Sequence, residues 1–266
     1  MKKYTLLILV LLSFTLNICR AQTQGYVEYE YYHPRATPVQ RLATLNFDGQ
    51  RSLFVFAKDG YEQLANKVGR QEGNTASAVV FGSDPIGSVY YRDFEKKQMI
   101  YRTVPTKLIQ SYLVTDTWTT IPWQIAGDRK KIGKFNCRKA TANFRGRSYT
   151  AWFTEEIPVS AGPWKLFGLP GLILEATDSE NMFRAYAKKI VYPAANPISI
   201  VPPDEGKKMS VKEYAAFMDN AAREAMEKMK SKMPREIASS FVIMENKDDP
   251  KNRKFRDEKA YEWEVN

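Results

Sequence analysis

The chain has 266 residues, 44% hydrophobic and 26% charged, with 14 Gly and 14 Pro, a profile that excludes collagen-like and disordered polymers and fits one globular domain or two. Forty Lys and Arg against thirty Asp and Glu give a net charge of +10. One His and two Cys exclude multi-His zinc sites, zinc-finger clusters and disulfide-dense scaffolds, all of which need more of these residues.

The first element in chain order is an export signal. Lys2 and Lys3 open it, Leu6 to Leu12 is an unbroken apolar run, and Ala21-Gln22 offers a small-residue cleavage point. This is the layout of a secretory signal, with a core too short to span a bilayer. Lipid attachment at Cys19 is the alternative, and Ile18 and Arg20 on either side of it fit that poorly. Residues 1–21 are therefore expected to be removed after Ala21, leaving a single domain over 22–266 in the periplasm or at the outer membrane. No later run approaches the ~18 apolar residues that a membrane helix needs.

The mature chain stays basic, because the signal carries Lys2, Lys3 and Arg20 and no acid. Its positive charge is scattered. Arg129 to Lys131 and Lys207-Lys208 are expected at turns, and no basic stripe interleaved with aromatics points to nucleic acid. Without Cys19, Cys137 has no partner in its own chain. Burial in a strand as a small hydrophobe is its expected state, with pairing to a second chain or a metal as the other options.

Strands follow. Gly25–His33 alternates and is rich in Tyr and Val, as a half-buried strand requires. Leu42–Phe47 and Ser52–Ala57 flank Asp48-Gly49, a strong short hairpin signal. The stretch Asn66–Asp84 is polar and glycine-punctuated and predicts a loop. Ser88–Phe94 and Met99–Val104 flank the charged turn Glu95-Lys96-Lys97, and Lys107–Val114 is a further expected strand. Phe135–Asn143 and Ser148–Thr154 surround Arg145-Gly146-Arg147, and Leu172–Thr177 and Phe183–Val191 surround residues 178–181. Hairpins in succession predict an antiparallel meander rather than βαβ units.

One long helix is expected near residues 210–233. Ser210 and Glu213 form a capping box, Tyr214, Phe217, Met218, Ala221, Ala225 and Met229 recur at helical spacing, and Pro234 stops the run. Met226, Met229 and Met233 share one face. Soft-metal binding would use such a face, and adaptable core filling or the wall of an apolar groove uses it equally well. Glu236–Met244 is expected to be a last strand.

Between Ile132 and Asp178 the chain forms an apolar corner. Gly162-Pro163 is a turn signal, and Trp164–Phe167 reads as a short amphipathic piece. In Gly168-Leu169-Pro170-Gly171 the proline fixes φ at the first central turn position and the glycine is expected to accept positive φ at the second, as in a type II turn. Leu172-Ile173-Leu174 then enters a strand that is apolar on both faces and so should lie inside the sheet.

The hexapeptide Gly168, Leu169, Pro170, Gly171, Leu172, Ile173 resembles the motif that names the GLPGLI family of exported Bacteroidota proteins. The resemblance extends back through Gly162-Pro163, Glu156-Ile157-Pro158, Ala151-Trp152-Phe153-Thr154 and Phe144-x-Gly146-Arg147 to the Cys-x-Lys-Ala at 137–140. It implies an uncharacterised envelope protein whose genes often lie near TonB-dependent outer-membrane receptors. It also implies a fold similar to the bowl-like N-terminal domain of a bacterial peptide-N-glycanase, or to LolA-type open barrels. The fold expected overall is β-rich α+β: a curved antiparallel sheet with one long helix. The motif itself is expected to be a structural turn.

Two functions compete, with a third behind them. The first is a non-catalytic binding protein with no cofactor or metal. In it Trp118, Trp123, Trp152 and Trp164, with Met226 and Met229, would meet an apolar ligand or a receptor partner, since large aromatics supply area and orientation. Ordinary core packing is the competing role for each. The second is a carboxylate-dependent hydrolase drawing on Glu155, Glu156, Glu175, Asp178 and Glu180, although no Ser-His-Asp set or phosphate loop accompanies them and His33 sits at a strand end. The third is a purely structural envelope component joined through strand edges.

Overall fold

This computed structural model describes residues 24–32, 40–56, 58, 84–105, 110–231, 234, 253 and 256–264. The expected signal with Cys19, His33, nearly all of the expected 66–84 loop, the strand expected at Glu236–Met244 and the side chains of Met226 and Met229 lie outside the described residues.

Strands β1 (Gly25–Tyr32), β2 (Gln40–Phe47), β3 (Arg51–Phe56), β4 (Ser88–Asp93), β5 (Gln98–Arg102) and β6 (Tyr112–Asp116) come first. After them run β7 (Gln124–Ile132), β8 (Phe135–Phe144), β9 (Arg147–Thr154), β10 (Leu172–Asp178) and β11 (Arg184–Val191). The short β12 (Lys207–Ser210) leads into helix α1 (Val211–Ser231), and a single 3-10 turn spans Glu262–Glu264. Among the described residues these strands make one open, curved sheet in the order β12-β6-β5-β4-β3-β2-β1-β11-β10-β9-β8-β7.

All four expected hairpins are present, and two meanders meet where β1 pairs with β11. Among the named strands the one departure from antiparallel pairing is β12 against β6, and an isolated bridge between Lys58 and Asp84 is also parallel. In β12, Lys207 and Lys208 lie in an edge strand rather than in the turn expected for them. Likewise Arg129 to Lys131 belong to β7, at the opposite edge. Most of β7 faces solvent on both sides, so it lacks the alternation that marks a half-buried strand. The strand expected at Lys107–Val114 is found over Tyr112–Asp116.

The topology dictates the curvature. β6 and β7 are ten strand positions apart, about 48 Å across a flat sheet at ~4.8 Å per step. Only residues 117–123 join them, and that strap reaches no more than about 28 Å when fully extended. The sheet must curl until its two margins approach, and the strap then crosses the mouth of the curl.

The interior is a filled core. Alternation along β1, β2 and β3 points Val27, Tyr29, Tyr31, Ala43, Leu45, Phe47, Phe54 and Phe56 inward, all buried. The segment 157–171 folds back over them, burying Ile157, Val159, Ala161, Trp164, Leu166 and Leu169. Trp164 through Phe167 are all buried, so that piece is not amphipathic. Segment and sheet are joined by Leu172 N–H to the Ile157 carbonyl, Ile173 N–H to the Ala161 carbonyl, both at 3.0 Å, and the Tyr29 hydroxyl to the Ile173 carbonyl at 2.5 Å.

Leu172, Ile173 and Leu174 are fully buried in β10, between β9 and β11. The glycines at the corner act differently from the expectation. Gly168 takes the positive φ (98°), and Gly171 is not among the positive-φ residues. Gly171 is needed for close approach instead: a Cβ there would stand 2.1 Å from the Thr154 carbonyl oxygen. At the β8–β9 tip Arg145 and Gly146 both have positive φ, 47° and 78°, as a two-residue type I′ hairpin demands.

The capping box forms, with Ser210 N–H donating to Glu213 (2.7 Å) and Glu213 N–H to Ser210 Oγ (3.2 Å). Helix α1 packs Tyr214 against Tyr101 and Tyr112, and Phe217 against Tyr112. It therefore packs against the inward-facing rings of β5 and β6.

Candidate functional site

The strap, the β4–β5 tip and the corner segment meet in a groove of about 420 Å³. Its aromatic walls are Phe94, Trp118 and Phe167. The ring centroids of Trp118 and Phe167 are 4.7 Å apart, and Phe94 stands edge-on to Trp118 at 5.9 Å. Ile121 and Val159 complete the apolar surface, and Lys97 stands at its rim. Trp123 braces the groove from outside by donating its indole N–H to the Phe167 carbonyl at 2.8 Å.

The four tryptophans thus separate. Trp118 lines the groove, and Trp123 buttresses the same corner. Trp164 is 1% exposed and packs against Phe144, Tyr149 and Phe183, so it is core and cannot meet a ligand. Trp152 lies on the opposite face of β9, under the Lys130 ammonium at 4.5 Å. Phe94, Phe167 and Lys97 carry no motif of their own. Phe94 and Lys97 share the β4–β5 turn, and the fold brings Phe167 and the strap up to them.

The expected catalytic carboxylates are dispersed. Glu155 pairs with Arg138, Glu156 accepts from the Asn136 backbone N–H and side-chain amide, and Glu175 pairs with Lys130. Asp178 and Glu180 both bind Arg147, and Lys259 holds Glu180. Among the described residues no group of three His, Cys, Asp or Glu side chains is placed to hold a metal ion.

A different carboxylate pair lies buried, at the other end of the strap. Asp116, the last residue of β6, accepts from Arg145 at 2.7 Å and from Lys165 at 2.6 Å. Glu258 accepts from the same two cations, with Lys165 at 2.8 Å, and Glu262 meets Arg145 at 2.9 Å. Burial alone would raise Asp116, but the charges of Lys165 and Arg145 outweigh it and hold the carboxyl down to about 2. Arg145 is likewise held above its ordinary value, the carboxylates prevailing over burial. Both buried carboxylates are thus bound by the same two cations. The arrangement staples the C-terminal segment to the β8–β9 tip, helped by Arg147 donating to the Arg256 carbonyl at 2.6 Å. Arg253 and Arg256 both bind Asp219 of α1, which links that segment to the helix as well.

Arg92 contrasts with these cations. It is fully buried, its Nη1 reaches Ser52 Oγ at 3.1 Å and the Gly162 carbonyl at 3.5 Å, and Nε and Nη2 have no acceptor among the described residues. Burial brings its pKa down to about 9. The guanidinium lies 5.6 Å from the centroid of Phe167, the ring that also walls the groove. Cys137 is buried as expected, and burial pushes its thiol up to about 11.

Comparison with known proteins bears on this region. The profile of a family described as "Protein of unknown function (Porph_ging)" matches residues 145–175. The matched stretch runs from the Arg145 tip through Lys165 and Phe167 into β10, so it holds parts of both the groove and the charged staple. No curated protein matches the chain. Structures of PNGF-II in two space groups resemble 73% of this chain and 32% of theirs, each with a TM-score of 0.48, at 13% and 15% identity. This chain therefore spans about a third of the length of PNGF-II. An uncharacterized conserved protein from Thermus thermophilus is similar over 74% of this chain and 99% of its own, with a TM-score of 0.38 and 8% identity. No helix among the described residues is long and apolar enough to cross a membrane.

Proposed function

We propose that this is an exported, non-catalytic binding protein of the cell envelope that takes an apolar ligand in the groove at the Gly168 corner. The observation that carries the reading is the Phe94–Trp118–Phe167 wall, an aromatic surface that lines an open groove. Concave aromatic sites of this size, with few polar groups, are the usual form of small-ligand sites. The engagement of each expected acid by a basic or amide partner supports a non-catalytic role. The Lys2-to-Ala21 pattern and the resemblance of residues 168–173 to the GLPGLI motif support the envelope setting, where a TonB-dependent receptor is the candidate partner.

The uncharged reporter N-phenylnaphthylamine tests the groove. Its emission should rise on mixing with the full chain, and Trp118→Ala should remove most of the rise. No rise, or an equal rise with the variant, overturns the reading. Sequencing the N-terminus of protein from the envelope fraction checks export, and a start at Gln22 is expected.

A further inference from the structure

We infer that the groove's ligand is a single-chain carboxylate amphiphile, a fatty acid in chemical class, with its chain against Trp118 and Phe167 and its carboxylate toward Lys97. This rests on the binding reading above and adds the charge and shape of the ligand.

Three observations carry it. First, the groove is lined by no acid, and Lys97 has no carboxylate within ion-pair distance among the described residues. Its neighbours differ, since Lys96 pairs with Asp93 and Arg51 with Asp48. Lys97 also holds a positive φ of 50°, a backbone conformation unfavourable for a non-glycine residue. Second, Arg92 sets a buried positive charge behind Phe167, 5.6 Å from its ring centroid and with no carboxylate in ion-pair distance among the described residues. Asp116 offsets only part of its field, which a low-dielectric interior screens weakly. Both charges favour an anion.

Third, several polar groups of the wall are already used within the chain. The Ile121 carbonyl accepts from Trp123 N–H, the Val159 N–H donates to Ile157, and the Val159 carbonyl accepts from Ala161 N–H. The Phe167 carbonyl accepts from the Trp123 indole, and Gly168 N–H donates to Ser160 Oγ. A peptide laid in the groove would lose hydration from its own backbone and find few partners, which is costly. A hydrocarbon chain loses nothing there. Apolar walls with one anion-seeking rim fit a chain that ends in a carboxylate.

The test uses the purified full chain, freed of lipid, and three probes of one chain length: decanoate, methyl decanoate and decyltrimethylammonium, titrated by tryptophan fluorescence below their micelle thresholds. Decanoate should bind about tenfold more tightly than the cation, as one partly desolvated ion pair predicts. Lys97→Glu should abolish that preference, and Lys97→Gly, which relieves the backbone, should reduce it to the level of the ester. Trp118→Ala should weaken all three probes together. Equal binding of the three probes leaves the apolar groove standing and overturns the charge assignment. A decanoate preference unchanged in Lys97→Glu overturns it as well. Binding of none removes both readings.

Discussion

The strap between β6 and β7 has two ends, and they differ in what they leave unsatisfied. At its start, Asp116 joins Arg145, Lys165 and Glu258 in a buried set in which every charge has opposite partners. A few residues on, Trp118 and Ile121 form a wall that faces an open groove with Phe94, Val159, Phe167 and a lysine that has no ion-pair partner among the described residues. The same crossing of the curled sheet creates both. Geometry alone therefore does not mark the functional end. The balance of partners does: the charged end is complete, and the aromatic end still has surface and charge to offer.

The sharpest way to break this contrast is to uncover the buried acids. Arg145→Met leaves Asp116 and Glu258 with one cation between them, and removing one member of a buried charge set costs about 3–5 kcal/mol. Chemical denaturation should show that loss. The groove should still bind apolar reporters wherever the variant is folded, because none of its walls touches Arg145. Loss of groove binding at full stability would join the two ends functionally and defeat the contrast.

The corner that supports the groove comes next. Gly171→Ala puts a methyl 2.1 Å from a backbone oxygen, which neither the strand nor the corner can yield cheaply. Overpacking of this kind costs about 1–3 kcal/mol, again read by denaturation. Gly168→Ala has no comparable clash, its nearest atoms being Trp123 at 3.8 Å, and its cost is the positive φ of 98°.

These positions show what the sequence could reveal. The hairpins were legible because turn residues and period-two alternation are local, and α1 because Ser210 and Glu213 stand three apart. Gly171 was legible as a necessary glycine, but not for its reason: a turn type is local, whereas contact with Thr154 belongs to the packed corner. β7 was missed because an edge strand exposed on both faces has no alternation to read. The charged staple was missed because Arg145 and Lys165 look solvated until Glu258, 113 and 93 residues away, is placed beside them. Trp118 and Trp164 are equivalent in sequence, and only the crossing of the strap leaves one open and seals the other.

Strong acid should loosen the charged end. Asp116 titrates at about 2 in the fold against 3.8 for a free aspartate. Its folded value is the lower one, so its contribution is present above about pH 4 and is lost as the pH falls toward 2. The magnitude is on the order of 2 kcal/mol. Unfolding midpoints measured from pH 5 to pH 2 should fall through that window, and Asp116→Asn should be less stable at pH 5 and should flatten the fall. An identical slope in the variant would assign the acid sensitivity to other carboxylates.

The smallest effect on stability should come from the groove itself. Trp118 is only half-buried and packs against two rings that keep each other's company, Phe94 and Phe167 lying 6.3 Å apart. Trp118→Ala therefore removes one exposed wall without opening the core, and its cost should stay near 1 kcal/mol, well below the 3–5 kcal/mol typical of a buried tryptophan. Its effect on reporter binding should be the largest of any single substitution. A residue whose removal scarcely moves the unfolding midpoint but empties the groove is placed there for contact with something outside the chain. If the midpoint instead drops as far as for Arg145→Met, Trp118 is core after all, and both ends of the strap serve only to hold the sheet in its curl.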